Sequence, residues 1–192
     1  MADDPIALFR EWMADAAAAG APMPDAMTLA TAGADGRTSA RMVLLRGVDD
    51  AGFRFYTNRE SRKGDQLRAN PHAALVFHWQ PPGRQVRVEG PVQALPDAES
   101  DAYFESRPRE SRLGAWASEQ SRPLESREQL MDRYRDAEQR YPDDQVPRPP
   151  YWGGYLVVPE LIELWEHGEF RLHRRRQFRR RDGGWDEQLL AP

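Results

Sequence analysis

Side chains that could hold phosphate groups are concentrated in the first third of the chain. Arg41 and Arg46 lie at the two ends of the apolar segment 42–45, where strand alternation places them on opposite faces. The segment 56–63 (YTNRESRK) then ends one predicted strand and opens a helix. Its hydroxyl group, cations and free backbone amides together favour phosphate binding. Strand-end charges that only reach solvent are the competing interpretation.

A second group of cations lies near the C-terminus. If the segment 170–175 (FRLHRR) is a strand, Arg171, His173 and Arg175 share one face. Three like charges side by side repel one another unless an anion lies among them. Trp165, on the preceding predicted strand, could offer an aromatic face beside them. A solvated basic edge strand that prevents aggregation is an equally weighted alternative.

A third group spans a predicted break between two helices. Tyr103 and Arg107 are four residues apart and can therefore contact the same ligand from one helical face. Ser111 is more typical of a helix cap, and Gln120 and Ser121 of polar loop residues. The chain has no Ser-His-Asp order and no nucleophile elbow, so hydrolysis by a side-chain nucleophile has no support. Binding groups without a catalytic acid or base are typical of proteins whose cofactor carries the chemistry.

The segments that must position these groups have mainly the two-residue period of strands. A helix is predicted from Pro5 to about Ala19, strands follow from residue 26, and a short helix is predicted over 61–69. A helical insertion is predicted over about 97–141 and C-terminal strands over about 154–192. About seven antiparallel strands without βαβ alternation predict an α+β fold, an antiparallel split β-barrel with peripheral helices. The length predicts a single domain, residues 1–192.

Composition excludes several classes of function. The 27 basic and 31 acidic residues give a net charge of −4, which argues against a nucleic-acid partner despite the seven arginines between Arg171 and Arg181. The absence of cysteine excludes disulfides and thiolate metal sites, and the four histidines are dispersed, so no metal is expected. No apolar run is long enough to span a membrane. The acidic start differs from a secretory signal, so the expected location is the cytoplasm.

Six segments, in order, resemble the pyridoxamine (pyridoxine) 5′-phosphate oxidase family: RMVLLR, FYTNRESRKGDQL, RQVRVEG, YFESRPRESRLGAWASEQS, WGGY and LWEHGEFRLHRRRQF. The match runs from about Pro5 to Pro192. The resemblance implies a flavin-binding split barrel that forms a homodimer, with FMN at the subunit interface. It also implies oxidation of pyridoxamine or pyridoxine 5′-phosphate to pyridoxal 5′-phosphate, with O2 as acceptor and release of hydrogen peroxide.

The resemblance further implies which residues form the site. FMN is expected to contact Arg41, Met42, Val43, Leu44, Leu45, Arg46, Tyr56, Thr57, Arg62, Lys63, Gln85, Gln120, Ser121, Trp165 and Arg175. The substrate is expected to contact Arg46, Tyr103, Arg107, Ser111, Arg171, Leu172 and His173. Arg171, supported by His173, is expected to position the reacting carbon, so these two are the predicted catalytic residues. The two phosphate groups would supply the anions that the basic groups require.

The sequence departs from the family pattern at three places. Arg46 replaces the usual lysine, and Arg174 replaces the usual acidic residue, so a salt bridge is expected to be lost there. The chain begins almost at the first helix and is expected to lack the basic arm that covers the substrate in longer members. The alternatives are therefore a related flavin oxidase for another aromatic substrate, as in phenazine biosynthesis, or a non-catalytic protein that binds FMN or pyridoxal 5′-phosphate.

Overall fold

The computed structural model describes residues 3–192, and most predicted elements are present in it. The helices are Pro5–Ala18 (α1), Arg62–Ala69 (α2), Asp97–Glu105 (α3), Arg109–Ala117 (α4) and Arg127–Arg140 (α5). The strands are Ala26–Ala32 (β1), Thr38–Leu44 (β2), Gly47–Asp49 (β3), Gly52–Asn58 (β4), His72–Trp79 (β5), Arg84–Ala94 (β6), Trp152–Val157 (β7), Leu161–Glu166 (β8), Arg174–Arg181 (β9) and Gly184–Leu189 (β10). Within this described part, no helix is both long and apolar enough to cross a membrane.

Side-chain hydrogen bonds cap the N-termini of helices α1 and α2. Asp4 Oδ1 accepts a hydrogen bond of 3.0 Å from the Ile6 amide, and Pro5 occupies the first turn of α1, where its missing N–H costs nothing. Ser61 caps α2 in the same way by accepting from the Gly64 amide. This cap places the next residue but one, Lys63, in the first turn of α2.

The strands form one antiparallel sheet that curls into a split barrel with peripheral helices, as predicted. Its main order is β10-β9-β8-β6-β5-β1-β2, and β7 joins β6 to β4. The long strand β6 belongs to both halves because residues 84–89 pair with β8 and residues 92–94 pair with β7. Between them, a Cβ atom on Gly90 would lie 2.0 Å from the Val158 carbonyl oxygen. Only glycine permits this close approach where the sheet divides.

An aromatic cluster fills the barrel and attaches α1 to it. The Phe9 ring is fully buried and contacts Phe53, Phe77 and Trp79 at centroid distances of 4.9, 4.8 and 5.9 Å. The first two contacts have the edge-to-face geometry that aromatic pairs favour. The helical insertion has a separate small core, formed by Leu113, Ala137 and Val146, which holds α4 against α5.

The prediction of a strand through residues 170–173 is wrong. Glu169–Arg171 forms a 3-10 turn, and Phe170 and Arg171 have left-handed φ values of 55° and 64°. A Cβ atom on Gly168 would lie 2.1 Å from the Leu172 carbonyl oxygen, so the chain doubles back tightly here. Strand alternation therefore does not place Arg171, His173 and Arg175 on one face. The expected number of strands, about seven, is also too low.

We expect Phe9→Ala to lower the free energy of unfolding by about 3–5 kcal/mol, because it leaves a cavity among three large aromatic rings. Urea unfolding at fixed protein concentration measures the change. Met131→Ala is the matched control, because Met131 is 40% exposed on α5 and its truncation should change stability by less than about 0.5 kcal/mol. Equal stability of the two variants would contradict the importance of this cluster.

Candidate active site

One cavity of about 760 Å³ brings together most of the predicted site residues of the first and third groups. It lies between strands β2 and β4 of the barrel and the region of α3 and α4. The predicted residues that line it are Arg41, Met42, Val43, Leu44, Arg46, Tyr56, Thr57, Lys63, Tyr103, Arg107, Ser111 and Gln120. A cavity of this volume is of the size that holds cofactors and drug-sized ligands.

Lys63 is a buried cation that contacts only neutral acceptors. Its Nζ donates hydrogen bonds to Thr57 Oγ1 at 3.2 Å, Ser61 Oγ at 3.2 Å and Gln120 Oε1 at 2.6 Å. No carboxylate of residues 3–192 forms an ion pair with it. Burial, followed by the charge of Arg41, lowers the pKa of Lys63 to about 8. A bound anion would compensate a charge in this position.

Arg41 is held beside Lys63 by neutral groups as well. Its Nη1 donates to Thr31 Oγ1 at 2.7 Å, and its Nη2 donates to Ser39 Oγ. Gln66 Oε1 accepts from the hydroxyl groups of both partners, at 2.6 and 2.7 Å. Burial and then the charge of Arg62 lower the pKa of Arg41. Arg41 therefore interacts electrostatically with two other cations, Lys63 and Arg62, and such a cluster of like charge favours a bound anion.

Arg107 forms a second cationic group in the same cavity. Its guanidinium lies 4.8 Å from the centroid of the Trp152 ring, and its buried Nη1 has no hydrogen-bond partner among the described residues. Burial lowers the pKa of Arg107; Tyr103 opposes that change, and the charge of Arg46 adds to it. A buried donor without a partner is costly, so this position also favours an anionic ligand.

A stack of aromatic rings forms one wall of the cavity. The Tyr56 and Tyr103 rings are 4.0 Å apart, and the Tyr103 and Trp152 rings are 6.1 Å apart and nearly parallel. Trp152 belongs to the WGGY motif, but no role was predicted for it. No role was predicted for Gln66 either, although it lies in the quoted motif FYTNRESRKGDQL, three residues after Lys63. The signal available for both was their position inside the quoted motifs.

The interpretation of Ser111 as a helix cap is wrong. Helix α4 begins at Arg109 after Pro108, and no side chain caps it. Ser111 instead lies in the first turn of α4 and lines the cavity with Arg107. The short connection between α3 and α4 and the first turn of α4 thus place a guanidinium and a serine hydroxyl in the lining of the same cavity.

The predicted C-terminal residues form a separate group. Gln85, Trp165 and Arg175 lie side by side on β6, β8 and β9, and the His173 ring is 4.5 Å from the Trp165 ring. Arg175 Nε donates to Glu163 Oε1 at 2.8 Å. None of the four lines the cavity. Three strands lie between β8 and β2 in the sheet. At about 4.8 Å per strand, the C-terminal group therefore lies well apart from the β2 residues that line the cavity.

The remaining predicted residues also lie outside the cavity lining. Leu45 is buried in the barrel core, and Arg62 is exposed at the start of α2. Ser121 follows Gln120 with a left-handed φ of 72°. Leu172 and Arg171 are exposed in the turn before β9. Arg174, the first residue of β9, has its Nη1 3.9 Å from Glu166 Oε2, so this position carries a weak ion pair.

The unusual pKa of Lys63 predicts how stability depends on pH. The pKa is about 8 in the folded chain and 10.5 ordinarily, so the unfolded chain binds more protons between these values. Stability of the flavin-free protein in phosphate-free buffer should therefore increase from pH 7 to pH 9.5. In Lys63→Met this increase should be smaller by about 1 kcal/mol, after allowance for partial solvation. Urea unfolding at both pH values tests this, and parallel pH dependences of the two proteins would contradict it.

Two family models together match most of the chain. The model described as pyridoxamine 5′-phosphate oxidase matches residues 13–141, which include the whole cavity lining except Trp152. The model described as pyridoxine 5′-phosphate oxidase C-terminal dimerisation region matches residues 152–192, which include Trp165 and the turn before β9.

Individual proteins agree with these models. Two relatives are called pyridoxine/pyridoxamine 5′-phosphate oxidase. The protein from Anaeromyxobacter dehalogenans is 58% identical to this chain, and the alignment covers 100% of this chain and 96% of the relative. The protein from Myxococcus xanthus is 56% identical, and the alignment covers 98% of this chain and 92% of the relative. The solved structure of PhzG from Burkholderia lata, in complex with tetrahydrophenazine-1-carboxylic acid, superposes with a TM-score of 0.93. The two sequences are 33% identical, and the alignment covers 100% of this chain and 94% of the PhzG chain. The chain therefore belongs to the pyridoxamine 5′-phosphate oxidase family.

Proposed function

We propose that this protein is an FMN-dependent oxidase that converts pyridoxamine or pyridoxine 5′-phosphate to pyridoxal 5′-phosphate. The observation that carries the proposal is that two groups of cations without carboxylate partners, around Lys63 and at Arg107, line one cavity. A phosphorylated cofactor and a phosphorylated substrate together supply two anions. The high identity to proteins named for this activity supports the same assignment.

The residues around Lys63 fit the phosphate of FMN. Lys63 is buried and Arg41 half-buried among neutral acceptors, and Arg62 adds a third positive charge at the start of α2. Thr57 and Gln120 already contact Lys63 and can turn toward a phosphate oxygen. Because charge-assisted hydrogen bonds are the strongest available here, this group would contribute most of the flavin affinity. The adjacent segment 41–45 would then lie along the flavin.

The residues around Arg107 fit the substrate phosphate. Tyr103, Arg107 and Ser111 offer a phenol, a guanidinium with an unpartnered Nη1 and a hydroxyl group within one cavity. Arg46 adds a second guanidinium. Stacking of Tyr103 on Tyr56 and of Arg107 on Trp152 fixes these donors before the ligand arrives, which reduces the entropy lost on binding.

A second copy of the chain would complete the site. Trp165, Arg171, His173 and Arg175 lie outside the cavity of their own chain but inside the region described as a dimerisation region. In a homodimer, this group of one subunit would face the cavity of the other. Gln85 pairs with Trp165 and belongs to the same half. We propose one domain over 1–192, in which the insertion 97–141 binds the substrate phosphate and the strands of 154–192 supply the partner's half.

The chain's own contribution to the reaction is to bind and orient. When bound, FMN would supply the redox chemistry: it would take a hydride from the 4′ carbon of the substrate, and O2 would then take two electrons and two protons to give hydrogen peroxide. With the amine substrate, water would hydrolyse the resulting imine to the aldehyde and release ammonia. With the substrate phosphate fixed by Arg107, contacts of Arg171 and His173 with the ring would hold the 4′ carbon against the flavin. Neither residue is required to remove a proton from carbon. The expected location is the cytoplasm, which agrees with a chain that contains no cysteine.

The first experiment is an absorbance spectrum of the purified protein, followed by addition of pyridoxamine 5′-phosphate in air. We expect a bound flavin spectrum, an aldehyde product and one hydrogen peroxide per product. Since PhzG has nearly the same fold, a reduced phenazine carboxylic acid is assayed in parallel. Turnover of that compound alone would favour the phenazine-type alternative. Bound flavin without turnover of either would favour a carrier, and protein that FMN does not reconstitute would overturn the proposal.

Two single substitutions separate the roles of the two halves. Lys63→Ala should weaken FMN binding at least ~10-fold, because it removes the buried charge that faces the phosphate. Arg171→Ala should retain FMN and lower kcat at least ~10-fold, because only substrate orientation is lost. Flavin content after gel filtration and steady-state kinetics measure both. Unchanged flavin content in Lys63→Ala, or wild-type turnover in Arg171→Ala, would contradict the assigned roles.

Mixing the same two variants tests the shared site. Each Lys63→Ala subunit has an intact Arg171, and each Arg171→Ala subunit has an intact Lys63. In a mixed dimer one of the two sites is therefore complete, so random exchange of subunits should restore about a quarter of wild-type activity. Recombination after mild denaturation, with each variant treated alone as the control, provides the comparison. Activity no greater than the sum of the two controls would show that each site is formed by one chain.

A further inference from the structure

The guanidinium of Arg46 is shared between the cavity and a carboxylate outside it. Arg46 lines the cavity, and its Nη1 donates to Asp25 Oδ2 at 2.9 Å, whereas Asp25 does not line it. Backbone hydrogen bonds fix both residues: the Leu45 amide donates to the Asp25 carbonyl, and the Arg46 amide donates to the Arg54 carbonyl, each at 2.8 Å. The ion pair is therefore built into adjacent ends of β1 and β2.

The ion pair between Arg46 and Asp25 reduces the net positive charge of the group that would bind the substrate phosphate. Arg46 and Arg107 are close enough for the charge of Arg46 to lower the pKa of Arg107, and no carboxylate of the described chain pairs with Arg107. Asp25 thus provides negative charge directly behind one of the two guanidinium groups. It holds Arg46 in position and at the same time reduces its attraction for a second anion.

The arginine at position 46 suits this arrangement. A guanidinium has five donors in a planar fork, so one Nη can bind Asp25 while other donors remain free for a phosphate. A lysine, which the family resemblance implies as the usual residue here, is a compact point charge and would contact both groups less well. Asp25 and Arg46 therefore function as a unit.

We propose that Asp25 is a positioning and specificity-determining residue that limits the affinity of the site for phosphorylated ligands and so speeds release of the phosphorylated product. The proposal rests on the proposed function in one respect, namely that Arg46 and Arg107 bind the substrate phosphate. Asp25→Asn removes the charge and keeps an oxygen acceptor for Arg46, so it separates electrostatics from orientation.

The experiment measures equilibrium binding of pyridoxal 5′-phosphate to the FMN-loaded protein by dialysis, with Arg107→Met defining the fraction bound at this site. Asp25→Asn should lower the dissociation constant about three- to ten-fold, with the effect reduced by salt. Binding of unphosphorylated pyridoxal should not change. Asp25→Glu should restore wild-type affinity. Asp132→Asn, which removes a carboxylate from an exposed ion pair with Arg135 on α5, is the matched control and should have no effect.

Steady-state kinetics add a second readout. In Asp25→Asn, KM for pyridoxamine 5′-phosphate should fall with the dissociation constant, and kcat should fall if product release limits turnover. Unchanged or weaker Arg107-dependent binding in Asp25→Asn, or no Arg107-dependent binding in the wild type, would overturn the role of Asp25. Normal turnover with unchanged binding would leave the oxidase function intact, whereas tighter binding without any turnover would support Asp25 and contradict the oxidase function.

Discussion

The cavity depends on positive charge that the chain itself does not neutralise. Burial normally requires a charged side chain to have an opposite charge beside it, and Lys63 has only hydroxyl and amide oxygens. Its lowered pKa is the measure of that imbalance. Most of the surrounding architecture follows from it: the capped start of α2 places the amine, and the network of Gln66 holds the neighbouring guanidinium of Arg41. The site is therefore prepared for an anion before one binds.

The split of the barrel explains why the two groups of predicted site residues lie apart in one chain. Strand β6 pairs with β8 near its start and with β7 near its end, so the sheet divides at Gly90. One branch leads through β4 to the cavity, and the other carries Trp165 and the turn that contains Arg171. In a symmetric homodimer, the C-terminal group of each copy would therefore face the cavity of its partner.

The sequence was sufficient to predict the fold class and most of the residues that line the cavity, but not the local backbone conformation near Arg171. Alternation predicted that strands begin at residue 26, where β1 begins, and a break between two helices was predicted where α3 ends and α4 begins, because both features are set by neighbouring residues. The left-handed conformation of Phe170 and Arg171 depends on the tight approach of Gly168 to Leu172, which has no periodic signal. Likewise, Gln66 and Trp152 act through residues distant in sequence, so spacing alone did not reveal them.

The sole lysine of the chain has a chemical consequence for an enzyme that would release an aldehyde. Aldehydes condense with unprotonated amines, and Lys63 carries the only side-chain amine, buried in the cavity. The rest of the cationic charge is arginine, which stays protonated and does not form such adducts under ordinary conditions. The outer surface therefore offers no lysine for the product to modify. With FMN phosphate beside it, Lys63 would remain protonated and equally unreactive, so no side-chain amine would be open to condensation with the product.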